Sequence, residues 1–158
     1  MKIGVISDTH LHDCSPELER IHATYFKDVE MILHAGDVVE AGVLDAFLPK
    51  RIEAVAGNMD LPSARNQFPI KRTIRVDGFR IGLIHGWGRP DGIEERIRKE
   101  FTNIDCLVYG HTHRPANHVV NGVLFFNPGS LTEKHYTKAN SLGILEITDK
   151  IRGTIINL

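Results

Sequence analysis

Three short apolar runs dominate the first 58 residues, and segments with helical character separate them. The runs cover residues 3–7, 29–34 and 52–56. Near-continuous apolar runs of this length are typical of strands that are covered on both faces. Ser15 and Pro16 supply an N-cap and a first helical residue, which predicts a helix to about Phe26, and a short second helix is expected over 41–48. This alternation of strands and helices predicts a parallel sheet with right-handed crossovers.

After residue 60, hairpin signals replace the alternation. Residues 61–69 contain two prolines and are expected to form a loop, while 93–101 should form a short charged helix and 106–109 another buried strand. Three turn signals lie between paired apolar runs and predict antiparallel hairpins. These signals are Asp77-Gly78, Asn121-Gly122 and Asp149-Lys150. The expected fold class is therefore α/β, with residues 1–158 forming a single domain of two mixed β-sheets packed face to face and helices outside.

Composition excludes several classes of function. The chain has 158 residues and a net charge of −1, so it carries no strong nucleic-acid signal. The two cysteines, Cys14 and Cys106, are too few for a disulfide scaffold, and reduced thiols are expected. We see no secretory signal and no apolar stretch near the roughly 20 residues that span a bilayer. A cytoplasmic protein without a membrane partner is therefore expected.

Five of the apolar runs end in side chains that commonly bind metals. They are followed by Asp8-Thr-His10, Gly36-Asp37, Gly57-Asn58, His85-Gly86 and Gly110-His111-Thr-His113. Because sites in open α/β sheets form at the carboxyl ends of strands, these ends can converge. The mixed nitrogen and oxygen ligands suit Mn, Fe, Zn, Ni or Co better than Mg or Ca. Seven ligands are too many for one catalytic ion, so two divalent transition-metal ions that share a carboxylate are expected.

In this order, the five motifs closely resemble those of the calcineurin-like metallophosphoesterase family, in particular its small single-domain phosphodiesterases. The resemblance spans about residues 1–130 and includes Glu40 and Asp60 after the second and third motifs. It implies a four-layer α-β-β-α sandwich, with manganese as the first expectation among the metals. It also implies that Asp37 bridges two ions, which are held by two groups of ligands. One group is Asp8, His10 and His113, and the other is Asn58, His85 and His111.

The resemblance further implies hydrolysis of a small phosphate diester, for which a nucleotide is one candidate, by a hydroxide held between the metals. Asp37 and Asn58 are the ligands that we also expect to act in catalysis. Many family members carry a histidine directly after Gly-Asn that protonates the leaving oxygen, whereas this chain has Met59. A slow enzyme that prefers good leaving groups is therefore expected. Candidate substitutes for the missing acid are His12, Asp60 and His135.

Several alternatives remain open at this stage. The same centre serves phosphomonoesterases, and the fold also occurs in non-catalytic protein-interaction scaffolds, including a retromer subunit. Residues 132–140 are interpreted as a solvated loop or as a source of phosphate contacts, and Arg65, Arg89 and Arg114 are similar cases. His34, Glu40 and Asp60 are expected to orient ligands. A homo-oligomer is an open partner prediction, and neither the substrate nor the metal is named by the sequence.

Overall fold

The computed structural model describes residues 1–134 and 137–158 and contains ten strands. In chain order they are β1 Lys2–Ile6, β2 Met31–His34, β3 Arg51–Ala54, β4 Lys71–Val76, β5 Phe79–Ile84, β6 Cys106–Val108, β7 Ala116–Val120, β8 Val123–Asn127, β9 Ser141–Ile147 and β10 Ile151–Asn157. The helices are α1 Pro16–Tyr25, a 3₁₀ helix Ala41–Phe47, α2 Pro62–Arg65 and α3 Ile93–Arg98. None of the helices in the described residues is both long and apolar enough to cross a membrane.

The strands form two five-stranded mixed sheets. The first has the order β10-β9-β1-β2-β3, in which β1, β2 and β3 are parallel and the β9–β10 hairpin joins antiparallel to β1. The second has the order β4-β5-β6-β8-β7, in which β5, β6 and β8 are parallel and each edge strand is antiparallel. The predicted parallel arrangement of the first three strands and the three predicted hairpins are all confirmed.

Three apolar clusters divide the molecule into four layers. The central cluster lies between the sheets and includes Val5 and Leu33 from the first sheet, together with Leu83 and Phe126 from the second. A second cluster packs α1 and the 3₁₀ helix on the outer face of the first sheet. A third packs α3 on the outer face of the second. The predicted four-layer α-β-β-α sandwich is therefore confirmed. Cys106 lies in the central cluster, and both cysteines are free.

One local prediction is confirmed and another was wrong. The short helix predicted over 41–48 is present as a 3₁₀ helix at Ala41–Phe47, in which buried residues recur every third position, at Val43 with Ala46 and at Leu44 with Phe47. A period of three residues places these side chains on one face of the tighter helix. The segment 61–69 was expected to be a loop, but it contains α2, which begins with Pro62. A proline in the first helical position is already compatible with helical geometry.

The parallel strands direct the polar motifs to one edge of the sandwich. β1, β2 and β3 end just before Asp8, Asp37 and Asn58, while β5 and β6 of the other sheet end before His85 and His111. Both sheets therefore contribute to a single site.

Candidate metal centre

The loop after β1 holds its two polar side chains in an unusual backbone conformation. Asp8 and His10 have φ angles of 52° and 45°, a left-handed region that most residues with side chains avoid. Asp37, His111 and His113 share this feature, with φ angles of 57°, 69° and 57°. Each residue held in such a conformation destabilises the folded state by on the order of 1–3 kcal/mol, and backbone strain of this kind concentrates at functional sites. Five of the seven predicted ligands are thus held in conformations that the surrounding fold has to impose.

Asp37 is buried at the middle of the site. Its Oδ2 lies 3.7 Å from Nε2 of His10 and 3.3 Å from Nε2 of His85. Its Oδ1 accepts a 2.7 Å hydrogen bond from the backbone N–H of Met59. One carboxylate oxygen therefore faces imidazoles on two sides, while the other is fixed by the main chain.

On one side of Asp37, a carboxylate and two imidazoles converge. Nε2 of His113 lies 3.3 Å from Oδ1 of Asp8 and 3.3 Å from Nε2 of His10. Asp8 is held in place because its carboxylate accepts the backbone N–H of His111. Ligand atoms of Asp8, His10 and His113 lie within 4.8 Å of one another, which is close enough to share one ion.

On the other side of Asp37, an amide and two imidazoles converge. Oδ1 of Asn58 lies 3.1 Å from Nε2 of His85 and 2.9 Å from Nδ1 of His111. The rings of His85 and His111 pack edge to face, with their centroids 5.2 Å apart. Ligand atoms of Asp8, Asp37 and His85 also lie within 4.8 Å of one another, so Asp8 approaches both sides of Asp37.

The hydrogen bonds of His85 and His111 show that this side suits a cation. Nδ1 of His85 lies 2.8 Å from the carbonyl oxygen of Ala35, and Nε2 of His111 lies 2.8 Å from that of Gly88. A carbonyl only accepts, so each of these nitrogens carries a hydrogen, and in its deprotonated state each ring turns its lone pair towards Oδ1 of Asn58. That oxygen is also an acceptor. Three lone-pair atoms therefore face one another, an arrangement that a bound cation stabilises.

The carboxylates change the proton affinity of the imidazoles. Burial alone would lower the pKa of His85, but the hydrogen bond to Asp37 and the charges of Asp8 and Asp37 outweigh it and raise that pKa to about 9. Burial also opposes the rise in the pKa of His113, which the contact with Asp8 nevertheless produces. The site attracts positive charge, which protons supply when no metal is bound.

Close packing explains the glycine that precedes Asn58. A Cβ atom on Gly57 would collide with Oδ1 and the backbone nitrogen of Asp37. Gly36, with a φ angle of 90°, would place a Cβ 2.7 Å from the ring of His85. The backbone can approach the central carboxylate this closely only because glycine lacks a side chain.

Two buried polar residues brace the loops, as the sequence predicted. His34 accepts the backbone N–H of Gly36 at Nδ1, and its Nε2 lies 3.2 Å from the hydroxyl of Thr9. The carboxylate of Asp60 accepts the backbone N–H groups of Val39 and Gly57. Since both oxygens of Asp60 are occupied and the residue is buried, it does not replace the missing general acid.

The other candidate acids fare differently. His12 is exposed and does not line the cavity above the site. His135 lies outside the described residues. Met59 is 55% exposed and does line the cavity, so its side chain occupies the place where an acid is expected.

Sequence reasoning missed Glu133, because residues 132–140 lacked a recognisable motif. Its Oε2 lies 3.4 Å from Nδ1 of His113 and 3.9 Å from Nε2 of His10. Glu133 also lines the cavity, whose volume is about 480 Å³, together with Arg114. Arg65 reaches the site through a hydrogen bond to the carbonyl oxygen of Asn58.

Comparison with known proteins assigns the chain to a family. The family model of the calcineurin-like phosphoesterase superfamily domain matches residues 1–150. The chain belongs to this superfamily. A protein named as a probable metallophosphoesterase of Methanocaldococcus jannaschii is 35% identical over 160 residues, which cover 99% of this chain and 81% of that protein. A phosphodiesterase of the same organism is 29% identical over 164 residues, 95% of each chain.

Solved structures of other proteins share the fold. A structure described as a novel archaeal phosphodiesterase superposes with a TM-score of 0.78 at 28% identity and covers 99% of this chain and 100% of that one. Zinc-bound Vps29 of Entamoeba histolytica superposes with a TM-score of 0.72 at 24% identity, covering 99% of each chain, and shows the shared fold alone.

Proposed function

We propose that this superfamily member is a metal-dependent phosphodiesterase with a dinuclear centre, acting on small phosphate diesters. The single observation that carries the proposal is the position of Asp37 between two groups of ligand side chains, 3.7 Å from His10 and 3.3 Å from His85. A carboxylate in this position fits one that is shared by two ions. Asp8, His10 and His113 would hold one ion, and Asn58, His85 and His111 the other.

Two bound divalent ions, manganese being our first choice, would acidify a water molecule and offset charge on the phosphoryl oxygens. The chain itself supplies orientation. The N–H of Met59 fixes Asp37, the carbonyl oxygens of Ala35 and Gly88 set the tautomers of His85 and His111, and Asp8 accepts the N–H of His111. Positions fixed in this way reduce the reorganisation that the reaction requires.

The cavity favours a diester over a monoester. Among the described residues that line the cavity, Arg114 is the only lysine or arginine, and the negative charge of Glu133 offsets its positive charge. A monoester dianion needs more compensating charge than a diester monoanion does. Met59 offers no proton, which favours esters whose leaving oxygen is already a weak base. A nucleotide remains one candidate among such esters.

The second candidate function is a non-catalytic interaction scaffold. Vps29 of Schizosaccharomyces pombe is 27% identical over 141 residues, covering 84% of this chain and 73% of that protein, so the likeness is not restricted to proteins named as esterases. The seven clustered ligand side chains favour the enzyme, because a scaffold has no need to keep strained residues around a carboxylate.

Hydrolysis of matched diesters and monoesters by metal-stripped protein, with and without added Mn²⁺, tests the proposal. The p-nitrophenyl ester of phenyl phosphate and p-nitrophenyl phosphate share a leaving group and differ in the charge of the ester. We expect metal-dependent turnover that is faster with the diester. Turnover without metal, or none with either ester, would contradict the enzymatic assignment, whereas faster monoester hydrolysis would contradict only the substrate class.

A further inference from the structure

Glu133 lies in a turn that is tied to the loop carrying Asp8. The hydroxyl of Ser130 accepts the backbone N–H of Glu133 at 2.9 Å and donates to the carbonyl oxygen of Asp8 at 2.8 Å. The hydroxyl of Thr132 donates to the carbonyl oxygen of Thr9 at 2.7 Å. These bonds place the main chain of Glu133 at a fixed position beside the site.

The side chain of Glu133 meets the outer nitrogen of His113. Its Oε2 lies 3.4 Å from Nδ1, while Nε2 of the same ring faces Asp8 and His10, each at 3.3 Å. One nitrogen of the ring therefore faces the proposed metal site, and the other has a carboxylate beside it. The negative charge of that carboxylate favours the proton on Nδ1 and the lone pair on Nε2.

Within residues 1–134 and 137–158, no carboxylate stands behind the imidazoles of the other half of the centre. The outer nitrogens of His85 and His111 are held by the backbone carbonyl oxygens of Ala35 and Gly88. A carboxylate partner makes a ligating imidazole more basic than a neutral partner does. The two halves of the centre therefore differ in the charge behind their imidazoles.

We propose that Glu133 is a positioning residue that acts through His113 and makes the half formed by Asp8, His10 and His113 the tighter of the two metal sites. This inference rests on the dinuclear centre of the proposed function. Glu133 is not required to touch the substrate. Side chains that orient metal ligands typically account for a 10- to 100-fold change in affinity, roughly the effect expected here.

Calorimetric titration of metal-stripped protein with Mn²⁺ tests this asymmetry without substrate. The variants are Glu133→Ala and Glu133→Gln, with Glu146→Gln as control, because Glu146 pairs with Lys2 at the surface of the first sheet. We expect two binding steps in the wild type. Glu133→Ala should weaken the tighter step about 10- to 100-fold and leave the weaker one unchanged. Glu133→Gln should fall between, since its amide keeps the size and polarity of the side chain but not its charge.

A Co²⁺ absorption spectrum separates positioning from general loosening of the fold. The bands of the tighter site should shift in Glu133→Ala and return towards the wild type in Glu133→Gln, at unchanged melting temperature. Equal weakening of both steps, or wild-type binding by Glu133→Ala, would overturn the inference. If the wild type binds two ions with this asymmetry but hydrolyses no ester, the catalytic proposal fails while the role of Glu133 stands. If the wild type hydrolyses diesters but Glu133→Ala binds metal normally, the role of Glu133 fails while the catalytic proposal stands.

Discussion

The backbone N–H of Met59 donates a 2.7 Å hydrogen bond to Oδ1 of Asp37, so the main chain ties the position of the missing acid to the central carboxylate. A substitution of the side chain leaves this bond in place. Replacing Met59 with histidine should therefore add a proton donor at the cavity wall without disturbing Asp37. For diesters with poor leaving groups, we expect kcat to rise about 10- to 100-fold, below the roughly 10²–10⁴-fold ceiling for general acid catalysis.

A series of aryl diesters with leaving groups of increasing pKa measures this effect. The gain should grow along the series in Met59→His and be absent from the matched variant Met59→Leu. Equal rates for the two variants on the poorest leaving groups would show that a histidine in this position does not reach the leaving oxygen.

Replacing Asp37 with asparagine removes the charge that both halves of the centre face. The amide keeps the size of the side chain, and Oδ1 still accepts the N–H of Met59. We expect retained folding, loss of most bound metal and a fall in kcat of at least about 100-fold, the scale of losing one electrostatic contact in an active site. Elemental analysis and diester hydrolysis check this, with the exposed Asp149→Asn as control. Full activity in Asp37→Asn would contradict a shared carboxylate.

Gly57→Ala tests how closely the backbone approaches Asp37. A Cβ atom would collide with the carboxylate and main chain of Asp37, so we expect a loss of about 1–3 kcal/mol in the free energy of unfolding and weaker metal binding. Gly42→Ala is the matched control, since nothing lies within 4 Å of the added carbon. Denaturant unfolding of both variants measures the difference. Equal stabilities would mean that Asp37 moves aside at no cost.

The metal-stripped protein should be most stable near pH 6.5. His85 has its pKa raised from 6.5 to about 9, so the folded state binds more protons in this window and stability falls as pH rises from 6.5 to 9. His34 has its pKa lowered by burial from 6.5 to about 4, so the unfolded state binds more protons there and stability falls as pH drops from 6.5 to 4.

Each group contributes at most about 1.4 kcal/mol per pH unit within its window. Bound metal keeps His85 deprotonated, so the loaded protein should lose the alkaline decline and keep the acidic one. Urea unfolding across pH 4 to 9, with and without Mn²⁺, checks both limbs. An alkaline decline of equal slope in the loaded protein would show that His85 does not bind the metal.

The sequence predicted the convergence of the ligands because parallel strands end at a common edge, and the runs before Asp8, Asp37 and Asn58 were recognisably strands. It did not predict the left-handed conformations of Asp8 and His10. A pattern of residue types carries little information about φ at a residue other than glycine. Those angles are imposed by contacts with distant loops, such as the hydrogen bond from Ser130 to the carbonyl oxygen of Asp8.

Glu133 was missed for a related reason. It is 20 residues beyond His113 in the chain, and only the tertiary path of the turn after β8 brings the two together. The start of α2 was missed for a different reason, because a proline such as Pro62 is favoured in turns as well as at the first position of a helix. The four residues of α2 form too short an apolar pattern to decide between a helix and a loop.

The order of strands in the first sheet affects when the site can be completed. β1 is an interior strand only because β9 pairs with it, from Lys2 opposite Glu146 to Val5 opposite Gly143. The loop after β1 is likewise anchored by Ser130, 122 positions later in the chain. A ribosome releases the first four ligand residues long before these partners. We therefore expect the chain to bind metal in the final geometry only after β9 has been synthesised. Until then, the N-terminal third of the nascent chain lacks the partners that complete its sheet.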